Sequence, residues 1–326
     1  MLTIFWESLS GVLVILIMVV CGFVMNERHW FSPQSPQIIS KVVTQVALPT
    51  YMIATITKQF TTDQLKTLLP DLRYPVISML ILFALSFAVA RALAIQKSHL
   101  GLFSSMFFNS NTVFIGLPIN MALFGAPSVP YVLVYYMANT TFFWTLGVWL
   151  IQRDGVHEAK INVKQALQKI FSPPLLGFIG GVLLVVFKIH LPKFISQTCT
   201  YLGSLTIPLS MLFIGIAVSN AGLSRIRFDH DAWGILLGRF LFAPCLMALL
   251  VLPSHSMSPL MKQVFILQAA MPVMTNAPVV SRLYHADSSY AAIMVTETTV
   301  LSIIVIPILM VLIKTWIRIR CITMPT

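Results

Sequence analysis

Two stretches of this chain interrupt apolar runs with residues suited to binding a ligand and unsuited to continuing a helix. The first, Met106 to Gly125, sets Asn109, Asn111, Thr112 and Asn120 around Gly116 and Pro118. The second, Gln268 to Pro278, sets Thr275 and Asn276 between Pro272 and Pro278. Proline removes a helical hydrogen bond and clashes with the preceding turn. Backbone groups freed inside a bilayer must then be buried in protein or line a wet cavity. One such helix reads equally as a proline kink patched by neighbouring Asn and Thr side chains. Two at equivalent places point to a binding pocket near the membrane midplane. The unwound segments present helix N-termini, each worth about half a positive charge, whose free N–H groups hold carboxylates without a lysine. The expected ligand is an anion.

Charged residues inside the apolar segments are few. Arg239 lies within Leu237 to Pro244, and Glu297 near the middle of the last segment. Either is costly in lipid and should face the protein interior. Arg239 is a candidate for attracting the anion and Glu297 for coupling a proton or cation. The alternative is that they hold helices together, as a pair. Asn139, at the place matching Glu297, is a further candidate. The histidines sit at segment ends without metal-ligand spacing, and Cys21, Cys199, Cys245 and Cys321 show no CxxC pattern. No phosphate-binding lysine motif occurs, and one intramembrane carboxylate does not make the pair an aspartyl protease needs. Neither metal nor cofactor is expected, and the chain does not read as an enzyme.

Membrane helices must position these residues. Of the 326 residues, 57% are hydrophobic and 10% charged, with mean hydropathy +0.87; soluble domains carry about 25% charge. No Lys, Arg, Asp or Glu occurs from Leu100 to Gln152 or from Phe194 to Ser224, so each run holds more than one membrane element. The net charge of +11 comes from short connections, the pattern of cytoplasmic loops facing anionic lipid and not of a nucleic-acid binder. The run from Leu9 to Val24 lacks a basic leader and a cleavage site and reads as a retained first helix. Ten helices are expected, at about 5–25, 37–57, 74–93, 99–124, 130–151, 173–189, 197–219, 232–252, 258–282 and 288–313.

The two halves echo each other. Leu48-Pro49 recurs as Ile207-Pro208, 159 residues on, and Asn139-Thr140-Thr141 corresponds to Glu297-Thr298-Thr299, 158 residues on. Five helices is an odd number, so the second unit enters from the opposite side. The expectation is an all-α polytopic fold of two inverted five-helix repeats, 1–151 and 173–326, joined by a cytoplasmic connection over 152–172. Positive residues of that connection, Arg153, Lys160, Lys164 and Lys169, put both termini outside.

The stretch Phe108 to Gly125 resembles the signature of the auxin efflux carrier family, supported by Pro130 to Thr141, Phe213 to Gly222 and Leu237 to Pro244. Within that family the chain is most similar to bacterial malate permeases of the malolactic type. The resemblance implies that broken helices 4 and 9 cross. It implies a scaffold of helices 1, 2, 6 and 7 and a transport unit of helices 3–5 and 8–10, working by an elevator motion in the cell membrane. Carried over by motif, the pocket comprises Asn111, Gly116, Pro118 and Asn120 from one broken helix and Thr275, Asn276 and Pro278 from the other. Gly-Leu-Pro and Asn-Ala-Pro stand where plant members have a short Asn-Pro crossover. The expected cargo is a small carboxylate, malate first, exchanged for lactate in one version; malonate, an indole acid or a passive anion channel are the alternatives. Besides the bilayer, a second copy joined through the scaffold helices is the expected partner.

Overall fold

The computed structural model describes residues 2–62, 68–155, 163–221, 229–254 and 256–323. Lys160, one of the four positive residues of the connection, lies outside the described residues. In chain order the α-helices are α1 (Leu2–Glu27), α2 (Ser35–Val42), α3 (Leu48–Gln59), α4 (Arg73–Ala92), α5 (Leu100–Phe108), α6 (Leu117–Phe124), α7 (Val129–Phe142), α8 (Val148–Gly155) and α9 (Val163–Ile170). They continue with α10 (Pro173–Val186), α11 (Lys193–Ser204), α12 (Thr206–Ala221), α13 (His230–Leu237), α14 (Ala243–Val251), α15 (Pro259–Ala269), α16 (Ala277–Leu283) and α17 (Ser288–Thr323). Among the described residues, five helical spans are long and apolar enough to cross a membrane: Ser35–Lys58, Pro70–Ala92, Lys193–Asn220, His230–Val251 and Ser288–Ile313. This is the architecture of a polytopic helical membrane protein. The connection expected over 152–172 carries a helix of its own, α9.

Prolines shape these helices in a repeated way. Four five-residue π turns occur among the described residues, and three stand directly before an X-Pro pair. Val43–Ala47 precedes Leu48-Pro49, Thr112–Gly116 precedes Leu117-Pro118, and Gly238–Phe242 precedes Ala243-Pro244. In a regular helix the proline ring collides with the carbonyl four residues back. That carbonyl belongs to Gln45, Phe114 or Phe240, inside the π turn each time, where wider winding moves it aside. Pro208, the sequence counterpart of Pro49, is handled differently: the helix stops at Ser204, turns at Leu205 and restarts at Thr206.

Two groups of helices pack through small residues, which let backbones approach closely where lipid gives no hydrophobic drive. In one group α1 crosses α12, where a β-carbon on Gly215 would lie 2.1 Å from the Val19 carbonyl oxygen. There too α3 is gripped by α10 and α11, with Gly177 against the backbone of Pro49 and Gly203 against that of Tyr51. The other group surrounds a core of fully buried aromatic side chains: Phe103, Phe107 and Phe108 of α5, Tyr135 of α7, Phe143, and Phe265 of α15. A residue of α8 starts α5, since the Asp154 carboxylate accepts the amides of Gly101 (2.9 Å) and Leu102 (2.7 Å). This serves as an N-cap supplied from another helix.

Replacing Gly215 by Ala should destabilise the protein by about 1–3 kcal/mol through overpacking, read as a lower unfolding temperature in detergent. The same change at Gly180, whose β-carbon would meet nothing within 4 Å, should be neutral or slightly stabilising. Asp154 lies beyond the apolar stretch of its helix. Burial pushes its carboxyl up to about 6, against the two amides that favour the charged form. A carboxyl whose pKa is higher in the folded state contributes most stability when protonated, and loses it as pH rises through the folded value. Wild-type protein should therefore lose stability between about pH 4 and 6, and Asp154→Asn should remove that part of the slope in a pH series of unfolding temperatures.

Candidate functional site

The fourth and ninth apolar segments are each interrupted, and the interruptions meet. Helix α5 stops at Phe108, Asn109 is extended (φ −97°, ψ 136°), and winding resumes at Thr112. Helix α15 stops at Ala269, and α16 begins at Ala277. Between these ends Ser110 and Val273 form an antiparallel bridge, and the Asn111 amide donates to the Pro272 carbonyl at 2.8 Å.

Side chains complete what this short pairing leaves open. Asn139 of α7 accepts from the Ser110 amide at 2.9 Å and donates to its carbonyl at 2.8 Å, acting as a third strand. On the opposite side the Val273 amide donates to the Thr298 hydroxyl of α17 at 3.1 Å. Gln268 donates to the Thr112 carbonyl at 3.3 Å. Its amide lies over Gly116, where a β-carbon would come within 2.3 Å of Oε1. Asn111 caps the turn that follows, its Oδ1 accepting from the Phe114 amide at 3.2 Å.

Arg239, a candidate for direct anion contact, faces the crossover from behind. It is fully buried. Nε donates to the Met271 carbonyl at 3.0 Å, Nη1 to the Phe107 carbonyl at 3.2 Å, and Nη2 to the carbonyls of Met271 and Ala269. Phe107 lies in the last turn of α5 and Ala269 ends α15, so one guanidinium ties together the C-terminal ends of both broken helices. The ion pairs found among the described residues join Arg73 with Asp71 and His99 with Asp231 and Asp287.

A cavity of about 480 Å³ lies against the crossover. One wall comes from the second apolar segment and the start of α10, including Ser40, Thr44, Gln45 and Pro174. The other comes from the crossover and α7, including Asn111, Thr112, Tyr136, Thr140, Trp144, Thr275 and Asn276, while Gln168 and Ser172 line the end toward α9. Its lining among the described residues holds no Lys, Arg, His, Asp or Glu. Two buried groups on the wall have no partner: the Asn111 Nδ2, a donor, and the Thr140 hydroxyl. Capping consumes the oxygen of Asn111 and leaves its nitrogen for a ligand.

Of the residues singled out from sequence, Asn111, Thr112, Thr275 and Asn276 line this cavity. Asn109, Gly116, Pro118, Asn120, Asn139, Pro278, Arg239 and Glu297 do not. Asn109 and Asn120 donate to carbonyls one turn back, those of Ser105 and Gly116. Gly116 seats Gln268, Pro118 follows a π turn, and Pro278 is the second residue of α16. Glu297 is buried within α17. Sequence reading missed Thr140, Tyr136, Thr44 and Gln268. A signal existed for three of them: Tyr136 and Thr140, like Ser40 and Thr44, are polar residues four apart, which share one helix face.

Asn139→Ala would strip the buried Ser110 amide of its partner, while the Ser110 carbonyl keeps the Thr112 amide at 3.0 Å. A buried unsatisfied group costs about 1–3 kcal/mol, so the unfolding temperature in detergent should fall well below that of Thr141→Ala, an exposed change one turn from Met137 on the same helix.

The uncharacterized transporter MJ1031 of Methanocaldococcus jannaschii is 26% identical over 304 residues, covering 90% of this chain and 95% of that protein. The profile of the family described as membrane transport protein matches residues 8–310, a region that takes in the crossover, both walls of the cavity and Arg239; the chain belongs to the membrane transport protein family.

Proposed function

We propose that this transporter is a secondary carrier of small organic anions, with malate the first candidate and lactate a candidate counter-substrate. The observation that carries the reading is the neutral polar cavity at the crossover, with two unpartnered buried groups on its wall. Amide and hydroxyl donors hold a carboxylate as charge-assisted hydrogen bonds, which are about twice as strong as neutral ones. The positive end of the winding that starts at Thr112 adds to the attraction. Arg239 is assigned no direct contact with cargo in this reading.

The cavity lies between the two helix groups. Ser40, Thr44 and Pro174 belong to the side gripped through α3 and α10, whereas Asn111, Thr140 and Asn276 belong to the side built on the aromatic core. We read the first as the scaffold and the second as the moving unit of two inverted five-helix halves. Cargo held mainly by the moving unit would be carried across by a rigid-body shift. Moving one net charge across 100 mV is worth about 2.3 kcal/mol, so uptake into a negative interior needs exchange or a coupled cation, and Glu297 is the residue proposed for proton coupling.

Purified protein in liposomes should show saturable, counterflow-competent uptake of labelled malate, malonate or lactate. No movement of any of them under any imposed gradient would overturn the anion assignment, and steady single-channel current would replace the carrier with a pore. Thr140→Val removes one unpartnered hydroxyl and little volume. It should raise KM about tenfold, the loss of one charge-assisted bond of about 1.5 kcal/mol, without shifting the unfolding temperature.

A further inference from the structure

Two helices end at the crossover. The last turn of α5 and the last residue of α15 point their carbonyls into the region behind the cavity wall. A helix C-terminus carries about half a negative charge, so the two together amount to about one. Water does not screen them, because Phe107, Ala269 and Met271 are all fully buried. Asn111 and Thr112 on one strand and Met274 and Thr275 on the other, all cavity-lining, follow these ends within a few residues. Left alone, the ends would repel the ligand that the neighbouring N-terminus attracts. Arg239 is the group that meets them. It is a fully buried cation, and among the described residues its hydrogen bonds go to the carbonyls of Phe107, Ala269 and Met271.

Building on the anion-carrier reading, we propose that Arg239 determines charge selectivity without touching the cargo: it cancels the negative ends of both broken helices, so that the cavity presents only positive helix ends and neutral donors. This accounts for the residue type. A planar fork of five donors reaches two chain segments at once and keeps its charge when buried, whereas a lysine ammonium is a point charge on a single stem. Arg239 is thus a positioning residue for the crossover and an electrostatic one for the ligand.

The test measures inhibition constants for three compounds of graded charge, malate, lactate and lactamide, against labelled-acid uptake by reconstituted full-length protein. The proteins compared are wild type, Arg239→Gln and Arg239→Lys. A role confined to packing weakens all three ligands by one factor. The proposal predicts a loss that grows with ligand charge in Arg239→Gln: within about twofold for lactamide, about tenfold for lactate and clearly more for malate, the scale of one poorly screened unit charge nearby. Arg239→Lys should keep the wild-type ratios while its maximal rate and unfolding temperature fall. Equal losses for all three compounds in Arg239→Gln overturn the proposal. If Arg239→Gln does not fold, altered ratios in Arg239→Lys overturn it, and preserved ratios support it. A wild-type protein that carries no acid overturns the anion-carrier reading itself and takes this proposal with it, an outcome distinct from altered or unaltered ratios in the variants.

Discussion

A backbone opened inside a bilayer must find every hydrogen bond within the protein, and the crossover of this transporter is organised around that requirement. Lipid offers no partner to the amides and carbonyls released between Phe108 and Thr112 or between Ala269 and Ala277. The two openings answer each other in part, through the bridge of Ser110 with Val273 and the bond from Asn111 to Pro272. Further bonds come from single side chains: Asn139 of α7, Thr298 of α17, Arg239 of a π turn, and Gln268 of the broken helix α15 itself. None of these four lines the cavity. The polar residues here thus divide into those that hold the open backbone in place and those that remain available to a ligand.

That division shapes the chemistry of the pocket. Asn109 and Asn120 have the same side chain as Asn111, yet each donates its nitrogen to a carbonyl of its own helix. Asn111 sits where winding resumes, so capping engages its oxygen and its nitrogen stays unpartnered on the cavity wall. Backbone position, not residue type, separates the one from the other two. The same logic governs the charges: Arg239 meets helix ends where a carboxylate would be a competitor, so an anion site can be built without a cation in its lining.

Proline has a second role besides interrupting segments four and nine. Before Pro49, Pro118 and Pro244 the helix widens into a π turn instead of stopping, which lets a long apolar span absorb the ring without exposing backbone to lipid. All three of these turns lie next to the site: Val43–Ala47 and Thr112–Gly116 carry cavity-lining residues, and Gly238–Phe242 carries Arg239. Close approaches at Gly22, Gly177, Gly203 and Gly215 hold the other helix group together through backbone contact.

Composition and pattern alone determined a good deal about this protein. Long uncharged runs can only be membrane helices, and Asn, Thr, Gly and Pro within two of them mark where the helices open, because these residues weaken local winding however the chain folds. The residues Asn111, Thr112, Thr275 and Asn276 followed from that local rule. Tertiary structure decided which polar groups remain unpartnered, since whether an amide is satisfied depends on neighbours more than a hundred residues away, as Asn111 with Pro272 and Arg239 with Phe107 show. It decided as well that Thr140 faces the cavity while Asn139 beside it supports Ser110. Successive residues on a helix point in different directions, and only packing settles which direction meets the ligand.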